Sequence, residues 1–189
     1  VSASTVSIRL ARPVDLEELG AVERSAASVF RSVGLAWLAD GGTMDPGVLE
    51  TLCHGRTLWV AVDEWDEPVG FLAAHELDGQ FYIAELSVAG SHQRRGIGAR
   101  LVEAAIEHGR GLGFAAITLT TYRNLAWNGP FYARLGFDEI DPGQAGPGHR
   151  AKLRDEAEAG HDPARRCLMT LRLDQPARSS RIAESRSNR

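Results

Sequence analysis

The stretch SHQRRGIGARLVEAAIEHGRGLG, residues 91–113, sets two arginines and two glycines directly before a run with helical spacing. Glycines at 96 and 98 let backbone N–H groups approach a ligand with no Cβ in the way. Successive N–H groups at a helix start carry partial positive charge and form a cradle for an anion, phosphate above all. Arg94 and Arg95 would add charge-assisted bonds. Two familiar phosphate sites are excluded. A Walker loop needs Lys and then Ser or Thr after its last glycine, and none follows here. A dinucleotide turn needs a third glycine where Leu101 stands, and an acid about 20 residues on, where the chain reads AAITLT.

Other reactive constellations fall short. His75-Glu76-Leu77 has no second histidine to complete a zinc motif, and no two of the six histidines are four apart, so no metal site is expected. Gly90-Ser91-His92 lacks the glycine spacing of a nucleophile elbow. Cys53 and His54 are neighbours in sequence, which is not the spatial arrangement a thiol nucleophile needs. Cys53 and Cys167 fit no CxxC spacing and read as two buried thiols.

The elements that must position the glycine turn follow from hydropathy period. Residues 6–13 read as a strand ended by Pro13, and 14–30 as a helix with Leu16, Leu19, Val22, Ala26 and Val29 on one face. Residues 31–56 read as a broken helical region interrupted by Gly41-Gly42, its last helix started by Asp45-Pro46. Three strands follow as an antiparallel meander, 57–64, 69–77 and 80–90, turning at Asp78-Gly79. Then come a helix from about 96 to 110, a strand at 114–121, a short helix closed by Gly136, a strand at 137–140, a helix near 149–159 and a last strand at 165–173. Residues 174–189 lack hydrophobic periodicity, which predicts a disordered tail behind a single domain of residues 1–173.

Composition limits the partners. The 189 residues carry a formal net charge of -4, which argues against a general nucleic-acid binder. No window approaches a membrane span. VSASTVSIRL has no basic start before an apolar core, so no signal peptide is expected and the cytoplasm is the expected compartment.

ELSVAGSHQRRGIGARLVEAA resembles the coenzyme A signature of the GNAT N-acetyltransferases, Q/R-x-x-G-x-G/A, standing here as Gln93 to Gly98. NGPFYARLGF is similar to that family's second motif, and the element order is the family's order from about residue 6 to 173. The resemblance implies an α/β (α+β) GNAT fold: a mixed, mostly antiparallel sheet of about seven strands, flanked by helices and splayed in the middle. It implies acetyl-CoA as co-substrate. The pyrophosphate would lie on Gln93, Arg94, Arg95, Gly96, Ile97, Gly98 and Ala99, and the pantetheine along the backbone of Leu86, Ser87 and Val88. Tyr132 matches the family's catalytic tyrosine, a proton donor to the departing thiolate. Glu85, on the strand facing the acceptor, is the candidate base, with His75 as a second candidate or a substrate contact. Alternation would put Glu85 on the strand face of Ile83 and Ser87. The second motif departs from its common form, since Leu125 stands seven before the tyrosine. Asn128, rather than Asn124, is then favoured beside the pantetheine.

In this fold the acceptor pocket is built by residues of about 30–46 and 139–164. Phe30, Trp37 and Trp127, with nearby acids, suit a cationic amine. The 141–164 segment could act as a lid or help a homodimer form. The first expectation is acetylation of a small primary amine: an amino acid, polyamine, aminosugar or antibiotic-like amine. The alternatives are a protein N-terminal or lysine acetyltransferase, and a non-catalytic acyl-CoA-binding module.

Overall fold

The computed structural model describes residues 5–173. The tail expected at 174–189 lies outside the described residues. Seven strands form one sheet: β1 (Ser7–Leu10), β2 (Leu58–Val62), β3 (Pro68–Leu77), β4 (Gln80–Val88), β5 (Ala116–Tyr122), β6 (Asp138–Ile140) and β7 (Arg166–Arg172). Their order is β1-β2-β3-β4-β5-β7-β6, and the β4–β5 pair alone is parallel. This is the mixed, mostly antiparallel sheet that the resemblance implied.

Both faces of the sheet are covered, which is why all five residues of β2 are buried and show no polar alternation. On one face lies α4 (Ile97–Gly111), whose Leu101, Val102 and Ala105 pack on Trp59, Leu72, Ala74, Phe81 and Ile83. On the other lie α1 (Leu16–Ala27) and α3 (Pro46–His54), which bury Leu19, Val22, Leu49 and Leu52 against Leu58, Val60, Phe71 and Ala73. Asp45 starts α3 as expected, its carboxylate accepting from the N–H groups of Gly47 and Val48 ahead of Pro46. The helical spacing over 14–30 does not make one α-helix. The chain tightens to a 3-10 helix at Ser28–Val33, stops at Gly34 with φ 74°, and resumes as the one-turn α2 (Ala36–Ala39). A short α5 (Gly129–Arg134) precedes β6.

Between the paired β6 and β7 the chain makes an excursion through α6 (Pro147–Glu158), on the sheet face opposite α4. This helix is largely polar and buries only His149 and Glu156. Polar bonds hold it. Asp78, in the β3–β4 turn, accepts from the N–H groups of Gly148 (3.0 Å) and His149 (2.9 Å), and its Oδ2 lies 2.7 Å from His149 Nδ1. His149 Nε2 is 2.9 Å from Thr118 Oγ1. Two helical turns later, Glu156 accepts from Thr120 Oγ1 at 2.6 Å and from Arg166 Nε at 2.9 Å. Thr118 and Thr120 stand two apart on β5 and so share a face. Among the described residues no helix is long and apolar enough to cross a membrane.

Candidate active site

The site begins as a defect in the sheet. β3 and β4 pair Ala73 with Glu85 but Ala74 with Ile83, so Ala84 is one residue in excess. Such a bulge bends its strand and sharpens the local twist. Just there β4 and β5 part. Their parallel ladder runs only from Phe81–Ile83 to Ile117–Leu119, and beyond it β5 pairs with β7 alone. A cleft of about 920 Å³ opens in the gap, lined on the β4 side by Ala84 through Val88 and on the β5 side by Thr120, Thr121 and Tyr122.

The bulge also corrects the expected facing of Glu85. Ile83 points into the core under α4, together with Phe81 and Ala74. Glu85 and Ser87 stand opposite Ala73 and Phe71, whose side chains lie under α1 and α3. Glu85 therefore shares a face with Ser87 but not with Ile83, because the surplus residue inverts the alternation.

At one end of the cleft the glycine turn meets α4. Arg94 (φ 60°) and Gly96 (φ 78°) both adopt the left-handed region, and Gly96 is the residue before the helix. That conformation is uncommon for an arginine and marks a turn held in shape by its surroundings. No side chain caps the N-terminus of α4, so its first N–H groups face the cleft uncompensated. Gln93 is committed inside the protein: its amide donates to Val88 O (3.0 Å) and Ala26 O (3.4 Å), lacing the turn to β4 and α1. Arg94, Gly96, Ile97, Gly98 and Ala99 line the cleft, whereas Arg95 does not and is exposed.

In the middle, Tyr132 of α5 is buried between the rings of Phe131 and Phe137. Its hydroxyl makes no hydrogen bond among the described residues. Burial raises the phenol's pKa well above its ordinary value, and the charge of Glu85 raises it further, which sets the two groups within electrostatic reach. Burial likewise lifts the Glu85 carboxyl to about 7, with help from the charge of Glu23; the Ser87 hydroxyl, donating at 2.7 Å, pulls the other way. Beside them Asn128 donates its amide to Thr121 Oγ1 at 2.9 Å, while its Oδ1 is buried with no partner. The next residue must be glycine: a Cβ at Gly129 would come within 2.5 Å of Arg123 O.

The other end is walled by α1, residues 41–43, α6 and β7. Tyr82, Thr120, Glu156 and Arg166 form a chain here, Tyr82 Oη lying 2.9 Å from Thr120 Oγ1. The Arg166 guanidinium lies 4.9 Å from the centroid of the Tyr122 ring, and Tyr122 Oη is 2.9 Å from His161 Nδ1. Sequence reasoning did not single out this chain, since its members lie far apart along the polypeptide and fit no spacing rule. Phe30 and Trp127 line the cleft and meet edge to face at 6.1 Å. Trp37 stands one step back, its ring 4.9 Å from that of His161. His75 and Asn124 do not line the cleft; the His75 ring lies against Tyr82, and its Nδ1 is 2.8 Å from Glu76 O.

The family model described as Acetyltransferase (GNAT) family matches residues 31–137, more than half of the chain. By class the chain is an acetyl-CoA-dependent acyltransferase. It belongs to the GNAT family. Solved structures share the fold at low identity. An acetyltransferase of the GNAT family from Staphylococcus aureus Mu50 superposes with TM-score 0.68 at 18% identity, covering 90% of this chain and 100% of that one. N-acetylglutamate synthase from Neisseria gonorrhoeae, complexed with coenzyme A and N-acetyl-glutamate, gives 0.67 at 20%, covering 92% of this chain but 36% of that one. The chain thus spans about a third of that synthase. The ribosomal-protein-S18-alanine N-acetyltransferase of Escherichia coli gives 0.63 at 15%, covering 93% and 98%.

Proposed function

We propose that residues 1–173 form a catalytic domain that moves the acetyl group of acetyl-CoA directly to the primary amine of a small molecule. The observation that carries this reading is that Glu85 and the buried Tyr132 line one cleft, at whose end a helix N-terminus lies uncapped. The α4 N–H groups and Arg94 would hold the pyrophosphate. The pantetheine would run along the open edge of Leu86–Val88. The buried, partnerless Asn128 Oδ1 fits an amide N–H of that arm, which would relieve an otherwise costly orphan.

Amines arrive protonated and must be neutral to attack. A carboxyl held at about 7 can take that proton near neutral pH. Nitrogen then forms its bond to the acetyl carbon, and backbone N–H groups of β4 face the developing oxyanion. As the carbon–sulfur bond breaks, Tyr132 gives its proton to the sulfur, and the second proton of the now cationic nitrogen leaves to restore the phenol and complete the amide. A phenol pushed upward by burial keeps that proton available throughout the working range. Much of the acceleration would come from holding the two reactants together, an effect worth roughly 7–11 kcal/mol in favourable cases. The walls that α6 and residues 41–43 add around the acceptor end favour a small acceptor over a protein chain.

The test is release of CoA thiol from acetyl-CoA across a panel of amines and short peptides, for wild type and Tyr132→Phe. Amine-dependent release that collapses in the variant supports the reading. Turnover of peptides alone would move a protein acceptor ahead, and binding of acetyl-CoA with no turnover at all would favour a non-catalytic module.

A further inference from the structure

The polar stripe of α6 contains a gap in its partnering. His149, Lys152 and Glu156 follow one another at helical spacing along one face. His149 is fastened to Asp78 and Thr118, and Glu156 to Thr120 and Arg166. Lys152, between them, makes no hydrogen bond or ion pair among the described residues, is half-buried, and lines the acceptor end of the cleft. It is also the only lysine in the sequence, in a chain with 21 Lys and Arg together.

The other charges of the cleft are accounted for. Arg166 is bound to Glu156 at 2.9 Å. Arg24, Arg94 and Arg134 are exposed to solvent. Of the acids, Glu156 is taken by Arg166, Glu23 accepts the Met44 N–H at 2.9 Å beside Arg24, and Glu85 accepts the Ser87 hydroxyl. Lys152 lines the same cleft as Glu85 and His161, and its charge favours the ionised form of Glu85 and the neutral form of His161. Once Glu85 has taken the proton of the incoming amine, the ammonium loses the counter-charge of that carboxylate. A half-buried cation in that state is costly, and an anion on the bound molecule removes the cost.

We propose that Lys152 anchors a carboxylate of the acceptor, so that the acceptor is an amine which also carries a carboxylate, an amino-acid-like zwitterion. This rests on the acetyl-transfer reading above. The amine turns to Glu85 and the carboxylate to Lys152, whose compact ammonium offers three donors. A purely cationic polyamine meets Lys152 as a like charge, and a protein N-terminus brings no nearby anion.

The experiment compares three matched acceptors at saturating acetyl-CoA: a free amino acid, its carboxamide, and the amine lacking the carboxylate. The set is run over several side chains with wild type, Lys152→Met and Lys152→Arg. Wild type should prefer the free acid. Lys152→Met should lower kcat/KM for the acid about 10- to 100-fold, mainly through KM, and leave the carboxamide nearly unchanged. Lys152→Arg should keep part of the preference. An unchanged acetyl-CoA-induced rise in Tm shows that each variant is folded. The proposal is overturned if wild type treats acid and carboxamide alike, or if Lys152→Met lowers both equally. It is also overturned if acetyl-CoA alone adds an acetyl group to Lys152 by mass analysis, which would make the lysine an acceptor itself. In the first two cases amine-dependent turnover would persist and the acetyl-transfer reading would stand. If no amine of any kind turned over, both would fall together.

Discussion

A carboxyl that titrates near 7 leaves its mark on rate and on stability. If Glu85 is the base, kcat/KM should climb as pH rises through about 7, where the buried carboxyl gives up its proton. Glu85→Gln should cost about 10²- to 10⁴-fold in kcat/KM and flatten that climb, as a pH–rate profile of both proteins would reveal. The stability signature has the opposite sense. The ordinary value is 4.5 and the folded value is about 7, so the folded chain keeps a proton that the unfolded chain has released. Its stability therefore declines as pH rises between those values. Glu85→Gln should be more stable than wild type at pH 8, by about 1–3 kcal/mol, and no more stable at pH 4. Urea denaturation at the two pH values measures this, and a variant less stable at pH 8 would show the carboxylate to be well solvated instead.

At the scale of elements, α6 is the piece held by chemistry rather than by greasy contact. His149→Ala removes the imidazole's bonds to Asp78 and Thr118, though not the backbone bonds to Asp78, and leaves a void, a combination costing about 2–4 kcal/mol. Amide exchange should speed up first in residues 147–158, and acceptor KM should rise while acetyl-CoA affinity holds. If exchange rose uniformly over the sheet, α6 would not be a separate unit. This element also marks where reading the sequence stops. The helix expected near 149–159, in a polar, Gly/Pro-rich segment, stands at Pro147–Glu158, and the strands were legible from their apolar runs. The glycine turn was legible from its local spacing, and Tyr132 was singled out only by the resemblance of NGPFYARLGF to a family motif. The excess residue at Ala84 was not, since one extra small residue leaves the apolar pattern of QFYIAELSV looking regular; its effect appears only when β3 supplies the register. Nor was the insertion of β7 between β5 and β6, or the meeting of Thr120, Glu156 and Arg166, which depends on that insertion.

For the whole molecule, ligand and fold are coupled. A co-substrate that binds only the folded chain stabilises it by about 2.7 kcal/mol at a hundred times its Kd. For a chain of this size that is a rise in Tm of roughly 5–10 °C. CoA should produce such a rise, and Arg94→Ala should shrink it and weaken its dependence on salt, while leaving the ligand-free Tm nearly unchanged because Arg94 is exposed. A chain ended after residue 173 should show the same ligand-free Tm and the same shift as the full chain. A lower Tm would bring residues 174–189 into the folded domain.

The surplus residue in β4 leaves two properties separable. It accompanies the gap between β4 and β5, whereas the face of Glu85 is fixed by its partner, since Ile83 opposes Ala74 and Glu85 opposes the neighbouring Ala73. Deleting Ala84 would make Ile83 and Glu85 neighbours on β4 too, so the ladder would become regular with Glu85 still turned away from α4. A descendant that lost this one residue would keep its carboxylate on the acceptor side while the strand lost the kink at which the sheet opens.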